Sequence, residues 1–336
     1  MIEHLKALLN RTAATAVAAA LSAAVILGAG HTANAADKYP VGPVHILVSY
    51  AAGGGTDRQA RLLAAPLEKI LGQPVTVQNL PGGGGQVAAK ALLRGEADGY
   101  TILATNQPDL NMTVALKGAS YAAEDFQAIM VDLFDPRILL VRKDSPIRTF
   151  GDFVAKAKAD PGGLTVSISQ GGAQEQFAKW LFGALEIDVR LVGYKGGSRA
   201  ANAMVGGQVD ATMGDDSARF NIREQAHALL LGAPKRSPRW PEAEPMTEAL
   251  KPFGVTPPTD YFLARYGVYL VPSAFKKNHS DRYAKLQKAI VEARQGKAFG
   301  DLLAKRKIED LSIGKPGEGF TDAFRKSVEV LQSMTK

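Results

Sequence analysis

The stretch HILVSYAAGGGTD, residues 45–57, decides the fold of this 336-residue chain. Its run of β-branched and apolar residues predicts a strand, and the glycines that follow predict a tight turn. Apolar residues then recur at helical spacing from Asp57 to Leu71. A strand that leads through a glycine loop into a helix is typical of an α/β fold.

The glycine loop also gives the first indication of function. Glycines let a ligand approach bare backbone N–H groups, and a helix start adds unpaired donors and a partial positive charge. The loop therefore predicts an anion site, which suits a carboxylate as well as a phosphate; the alternative is a tight turn without a ligand. Arg58 stands where a dinucleotide fingerprint needs its third glycine, and no G-x-x-x-x-G-K-[ST] loop occurs. A valine at Gly54 is expected to obstruct the ligand, whereas a valine at Gly317, in a distal turn, is expected to leave the affinity unchanged.

Strands and helices alternate along the rest of the chain. Predicted strands at Val75–Gln78 and Thr101–Thr105, with a helix at Val87–Leu93, imply a mainly parallel sheet. A second unit follows, with strands expected at Ile138–Arg142, Leu164–Ser169, Arg190–Gly193, Val209–Met213 and Ala228–Leu231. An extended run is expected at Tyr261–Val271, and helices from Asp281 almost to the end. Two α/β units in one chain predict two lobes.

The first 35 residues predict a secretory signal peptide. Lys6 and Arg11 precede the apolar stretch Thr12–Gly28, and Ala33-Asn34-Ala35 is a small-x-small signature, so cleavage after Ala35 and export to the periplasm are expected. The alternative is a permanent anchor helix. The absence of cysteine excludes disulfides, thiolate metal ligands and a lipid-modified cysteine, so the mature protein is expected not to be membrane-embedded.

Charge and residue chemistry narrow the function further. The formal net charge is +7, but the basic residues are scattered and no aromatic residues interleave with them, so no nucleic-acid partner is expected. His45, His227 and His279 lack metal-ligand spacing, and Ser198 lacks the second glycine of a nucleophile elbow. The chain is therefore predicted not to be an enzyme and to use no cofactor or metal; an exported α/β hydrolase is the alternative.

Three further glycine-rich loops lie between a strand and a helix, namely Pro81–Gly85, Ser169–Ala173 and Tyr194–Ser198. Ligands of open α/β sheets bind beyond the carboxyl ends of the strands. Two lobes that face each other with such loops therefore form a cleft. Pro81–Gly85 fits either a wall of this cleft or a flexible turn.

Taken together, these motifs resemble the Bug family of periplasmic solute receptors, which serve tripartite tricarboxylate transporters. Each match is weak alone, but the ordered set is specific and covers almost the whole chain after the signal segment. The matching stretches are Tyr39-Pro40, Val48–Arg61 (VSYAAGGGTDRQAR), Leu71–Val75 (LGQPV), Asn79–Gly85 (NLPGGGG), Asp98–Thr101 (DGYT), Tyr194–Gly197 (YKGG), Gly206–Asp210 (GGQVD) and Lys235–Pro238 (KRSP).

The resemblance implies a two-lobed type II periplasmic-binding-protein fold of the α/β class, with the ligand cleft between the lobes. Lobe I is expected to comprise residues 36–137 and 262–336, and lobe II residues 138–261. Backbone groups of the first glycine loop and of a facing loop are expected to bind a carboxylate, partly through ordered water. The expected ligand-binding residues are Tyr50, Gly53, Gly54, Gly55, Thr56, Asp57, Asn106, Ser169, Gly171, Gly172, Ala173, Tyr194, Lys195, Gly196, Gly197, Ser198 and Asp216.

Two departures from the family pattern bear on the ligand. Ala52 stands where the family usually has proline, and Asp215-Asp216 places an extra acid near the cleft. That acid would repel a dianion or hold an ammonium group; the alternative is a solvated pair or a helix cap.

The function implied by the resemblance is capture of a small organic carboxylate and its delivery to a membrane permease. A receptor that senses the ligand for a signalling partner is the alternative. The sequence leaves the identity of the carboxylate open.

Overall fold

The computed structural model of the protein describes residues 38–258 and 263–333. The chain divides into two units, Met1–Val41 and Gly42–Lys336, and every element named below belongs to the second. The expected signal peptide and the cleavage after Ala35 lie outside the described residues. No helix of the described part is long and apolar enough to cross a membrane.

Strands and helices alternate, as the sequence predicts. The strands are β1 Val44–Val48, β2 Val75–Asn79, β3 Thr101–Gln107, β4 Phe126–Arg142, β5 Thr165–Ser169, β6 Arg190–Tyr194, β7 Ala211–Asp215, β8 Ala226–Leu231, β9 Glu244–Pro245, β10 Ala264–Pro272 and β11 Ser312–Pro316. The helices are α1 Gly55–Leu71, α2 Gln86–Arg94, α3 Asp109–Leu116, α4 Phe150–Ala159, α5 Ala173–Ala184, α6 Gly197–Val205, α7 Asp216–Arg219, α8 Met246–Ala249, α9 Ser273–Asn278, α10 Ser280–Arg294, α11 Lys297–Arg306 and α12 Phe320–Ser333.

The strands form one continuous mixed sheet. Strands β1, β2 and β3 are parallel, as are β5, β6 and β7. Strand β10 lies antiparallel between β3 and β4. Strand β4 joins the two parallel groups, because its first half pairs with β10 and β11 and its second half with β7 and β8. The expectation of a mainly parallel sheet is therefore right for the two flanking groups and wrong for the centre.

Three local expectations differ from the structure. The strand expected at Ile138–Arg142 is only the end of β4, which begins at Phe126. The sequence does not predict the first part of β4, because this strand is buried on both faces and shows no alternation of polar and apolar residues. Helix α3 is not predicted, since its apolar residues do not form a one-sided stripe. The region expected to be helical after Asp281 contains β11, which pairs with β4.

Buried aromatic side chains fix the helices to the sheet. Phe150, Phe153 and Phe177 are fully buried in the cluster beneath α4 and α5. Phe324 of α12 packs edge-on against Phe126 of β4, with ring centroids 6.3 Å apart. Because the helices are held in this way, the loops that connect strands to helices keep defined positions around one cavity.

Candidate functional site

A cavity of about 760 Å³ lies at the carboxyl ends of the parallel strands. The strands β1 and β3 bring Tyr50 and Asn106 to its wall, and β5 and β7 bring Ser169 and Asp215. Both parallel groups therefore contribute to a single cavity, which is large enough for a small organic molecule.

Most of the residues expected from the sequence line this cavity. They are Tyr50, Gly54, Gly55, Thr56, Asn106, Ser169, Gly172, Ala173, Gly197 and Ser198. The others flank or support the lining instead, namely Gly53, Asp57, Gly171, Tyr194, Lys195, Gly196 and Asp216.

The first glycine loop is held by a buried acid. The carboxylate of Asp57 accepts the Gly53 N–H at 2.8 Å and the Asn79 amide at 2.9 Å, and it pairs with Arg61 at 3.0 Å. Desolvation tends to raise the pKa of Asp57, but these hydrogen bonds outweigh it and lower the pKa below its ordinary value. Gly53 has a φ of 78°, a left-handed conformation that favours glycine. Asp57 therefore fixes the conformation of the glycine loop without lining the cavity itself.

The start of α1 presents its free donors at the cavity. N–H groups in the first turn of a helix have no acceptor within that helix. Gly55 and Thr56, the first two residues of α1, both line the cavity. This part of the wall is suited to a carboxylate, because the N–H donors and the helix dipole both favour negative charge.

The facing loop carries a second helix start, which contacts an acid at the first position of α3. The Ala173 N–H, at the first position of α5, donates to the Asp109 carboxylate at 3.3 Å. The Tyr50 hydroxyl donates to the same carboxylate, also at 3.3 Å. Burial and the nearby Asp109 charge raise the pKa of Tyr50 well above its ordinary value, so the hydroxyl stays a proton donor. Asp109 itself lines the cavity.

A charged cluster forms another part of the wall. The sequence indicated Asp215 near the cleft, but not Asp135 or the arginines that pair with these two acids. Arg137 of β4 is paired with Asp215 at the end of β7. Arg265 of β10 is paired with the buried Asp135 and lies 3.6 Å from the Asp215 carboxylate. Burial opposes the charge on Asp215, but Arg137 and Arg265 lower its pKa, so it is ionised at neutral pH. The available signal was Asp135 and Arg137 interrupting a long apolar run.

Asp215 and Asp216 are neighbours in sequence with separate environments. Asp216 is fully buried outside the cavity lining, where it accepts the Trp240 indole N–H at 2.5 Å and pairs with Arg239. Burial raises the pKa of Asp216 to about 6 in spite of the Arg239 charge. Both acids are buried, so the alternative of a solvated acidic pair is wrong.

The lining as a whole carries more arginines than acids. Its arginines are Arg58, Arg137, Arg219 and Arg265, and its acids are Asp109 and Asp215. Within residues 38–258 and 263–333, no three histidine or acidic side chains are grouped to hold a metal ion. The arrangement therefore favours an organic anion that is bound by N–H donors and guanidinium groups.

Several known proteins are similar to this chain in sequence. The model of the tripartite tricarboxylate transporter family receptor matches residues 59–314. The UPF0065 protein in the gbd 5′ region of Cupriavidus necator is 33% identical over 266 residues, which is 71% of this chain and 76% of that protein. Protein BugT of Bordetella pertussis is 30% identical over 267 residues, with coverage of 77% and 81%.

Solved structures share the fold. A TctC solute-binding protein from Polaromonas matches with a TM-score of 0.76 at 20% identity, covering 88% of this chain and 99% of that one. MatC from Rhodopseudomonas palustris, solved with bound malate, matches with a TM-score of 0.68 at 23% identity, covering 89% and 100%. These similarities confirm the predicted two-lobed α/β fold.

Proposed function

Because the chain belongs to the family of tripartite tricarboxylate transporter receptors, we propose that it captures a small organic carboxylate in the periplasm and delivers it to the membrane permease of such a transporter. This membership confirms the resemblance to the Bug family. The observation that carries the proposal is the cavity in which glycine loops from both parallel groups meet beside an excess of arginines. The malate held by MatC supports the same ligand class.

The proposed binding mode uses backbone donors first. The carboxylate is placed against the N–H groups of Gly55 and Thr56 and against the facing loop at Gly197-Ser198. Removing a carboxylate from water is costly unless several donors replace that water. Glycine loops supply the donors without ordering long side chains. A micromolar dissociation constant, about −8 kcal/mol, is within reach of such a site.

The proposed lobes meet at β4. Lobe I comprises residues 36–137 and 262–336, and lobe II residues 138–261. The contact between Asp109 and the Ala173 N–H then joins the two lobes at the rim of the cavity. In this mechanism the ligand binds one lobe, the other lobe closes over it, and the permease recognises the closed form.

Native mass spectrometry of freshly purified protein tests the ligand class. A carboxylic acid released from the protein, and calorimetric binding of the same acid, are the expected results. The proposal is wrong if no carboxylate binds at millimolar concentration.

Uptake measurements separate transport from sensing. Deletion of the gene is expected to abolish uptake of the labelled acid, and restoring the gene should restore it. Normal uptake after deletion, with only a change in gene expression, would instead support a sensory receptor.

A further inference from the structure

Arg219 is a cavity-lining residue whose charge has no ion-pair partner. Its side chain is 1% exposed, and Nη2 donates to the Met213 carbonyl at 2.8 Å. Among the described residues no carboxylate lies within ion-pair distance of it, and its buried Nε has no acceptor. Burial lowers the pKa of Arg219 below its ordinary value, with Asp215 and Asp135 acting against that shift only from a distance.

The surrounding backbone is shaped to hold this guanidinium group. A Cβ atom at Gly214, in β7, would overlap the Arg219 side chain, and a Cβ at Gly197 would lie 3.1 Å from its Nη1. Gly197 is the first residue of α6 and also lines the cavity. Glycines at both positions therefore make room for Arg219 beside one of the loops expected to bind the ligand.

The charges around Arg219 leave one positive charge in excess. Arg137 is matched by Asp215, and Arg265 is matched by Asp135. Arg219 is the third guanidinium of this group and has no matching acid within the described part of the chain. An unpaired buried charge is costly, and one carboxylate placed against it would remove that cost.

A second carboxylate would meet an unfavourable charge elsewhere on the wall. Asp109 lines the same cavity, where it already accepts hydrogen bonds from Tyr50 and from the Ala173 N–H. The helix start at Ala173, which would otherwise attract an anion, is thus taken by an acid of the protein itself. A like charge close to Asp109 is repelled, whereas a neutral or cationic group is accepted there.

We propose that Arg219 is the ionic anchor for the ligand and that the ligand carries a single carboxylate, with a neutral or cationic group towards Asp109. This inference rests on the proposed carboxylate-receptor function and names the ligand class within it. It separates this chain from MatC, whose bound malate carries two carboxylates.

Calorimetry on the mature protein with matched acids tests the ligand class. Butanoate and succinate, hexanoate and adipate, and benzoate and terephthalate differ within each pair by a second carboxylate, and 4-aminobutanoate adds a cation. For whichever skeleton binds, the monocarboxylate is expected to bind at least tenfold more tightly than its dicarboxylate partner. A preference for the dicarboxylate overturns the inference and leaves the proposed function intact. No binding by any acid overturns both.

Substitutions then test the two residues. Arg219→Met keeps much of the side-chain volume but removes the charge, so it should weaken monocarboxylate binding at least tenfold without lowering the melting temperature of the ligand-free protein. Arg94→Met, at an exposed site outside the cavity lining, makes the same charge change and should bind like the parent. Asp109→Asn should reduce the discrimination against the dicarboxylate.

Two outcomes of the substitutions would contradict the assignment. Parent-like affinity in Arg219→Met means that Arg219 does not anchor the ligand. If this variant does not fold, Arg219→Lys replaces it, since it keeps the charge but loses the forked donors. Arg219→Lys should bind several-fold more weakly than the parent, and unchanged affinity there overturns the inference as well.

Discussion

Replacement of Gly55 by valine tests the placement of the site at little cost to the fold. A Cβ atom at Gly55 meets no described atom within 4 Å, and its backbone is not in the left-handed region. Gly55 is the first residue of α1 and lines the cavity. The valine methyl groups would therefore occupy the space in front of the first N–H donors of the helix.

The magnitude follows from the hydrogen bonds that would be lost. A hydrogen bond to a charged group contributes roughly 1.5–3 kcal/mol. Loss of one such bond at the α1 start therefore weakens binding by at least about tenfold, or ~1.4 kcal/mol. The melting temperature of the ligand-free variant should stay close to that of the parent, because an uncrowded surface substitution usually changes stability by less than about 0.5 kcal/mol. Calorimetry with the co-purified acid measures the affinity.

Gly300→Val is the matched control. Gly300 is exposed within α11, and a Cβ there also meets no described atom within 4 Å. Affinity and melting temperature should both match the parent. If Gly55→Val also binds like the parent while folding normally, the ligand does not lie against the α1 start.

The pair of glycines suggested by the sequence alone is less suitable. A Cβ at Gly54 would lie 3.2 Å from the Ala51 carbonyl oxygen, so a loss of affinity there could come from the loop itself. A Cβ at Gly317 would overlap the backbone of Ala128 in β4. Gly317→Val is therefore expected to disturb the fold, because this turn packs directly on the central strand, and it does not serve as a control for affinity.

Three further predictions follow from the sequence and the structure. N-terminal sequencing of the secreted protein should begin at Ala36, and recovery of the full-length chain in membranes would contradict cleavage after Ala35. Ligand at about 100 times its dissociation constant should add roughly 2.7 kcal/mol of stability; X-ray scattering should show a smaller radius, and an unchanged radius would refute closure. Asp57→Asn should lower the unfolding free energy at neutral pH. Because folding lowers the pKa of Asp57, its contribution is present above about pH 4 and lost as the pH falls below that; a variant with the parent's acid sensitivity would show that another group causes it.

Local signals in the sequence located the loops but not their partners. The glycine turns before Gly55, Ala173 and Gly197 are predictable, because a strand end, a glycine and a helix start are consecutive in the chain. The pairing of Arg137 with Asp215 spans 78 residues, and that of Arg265 with Asp135 spans 130. No periodicity or motif in the sequence predicts these ion pairs, because the partners come together only when the strands assemble into the sheet.

The central strand β4 could not be predicted in full from the sequence, for a different reason. A strand buried on both faces loses the alternation that marks a half-buried strand, so β4 showed only its Leu-rich second half. The two parallel groups were predicted, but the strand that joins them was not recognised as continuous. Arg137 lies on this strand and Arg265 on its neighbour β10, which explains why these two arginines of the cavity wall were missed together.

The position of Arg137 links the charge of the ligand to the proposed closure. Pro136 is the last residue of β4 that pairs with β10, and Arg137 is the first that pairs with β7. The backbone of Arg137 also bonds to Leu263 and to Gly232, so this residue lies where the chain passes between the two groups of strands. Its side chain meets Asp215 and lines the cavity. In the proposed mechanism, a carboxylate that balances the adjacent cluster acts at this junction, so that charge balance and lobe closure favour each other.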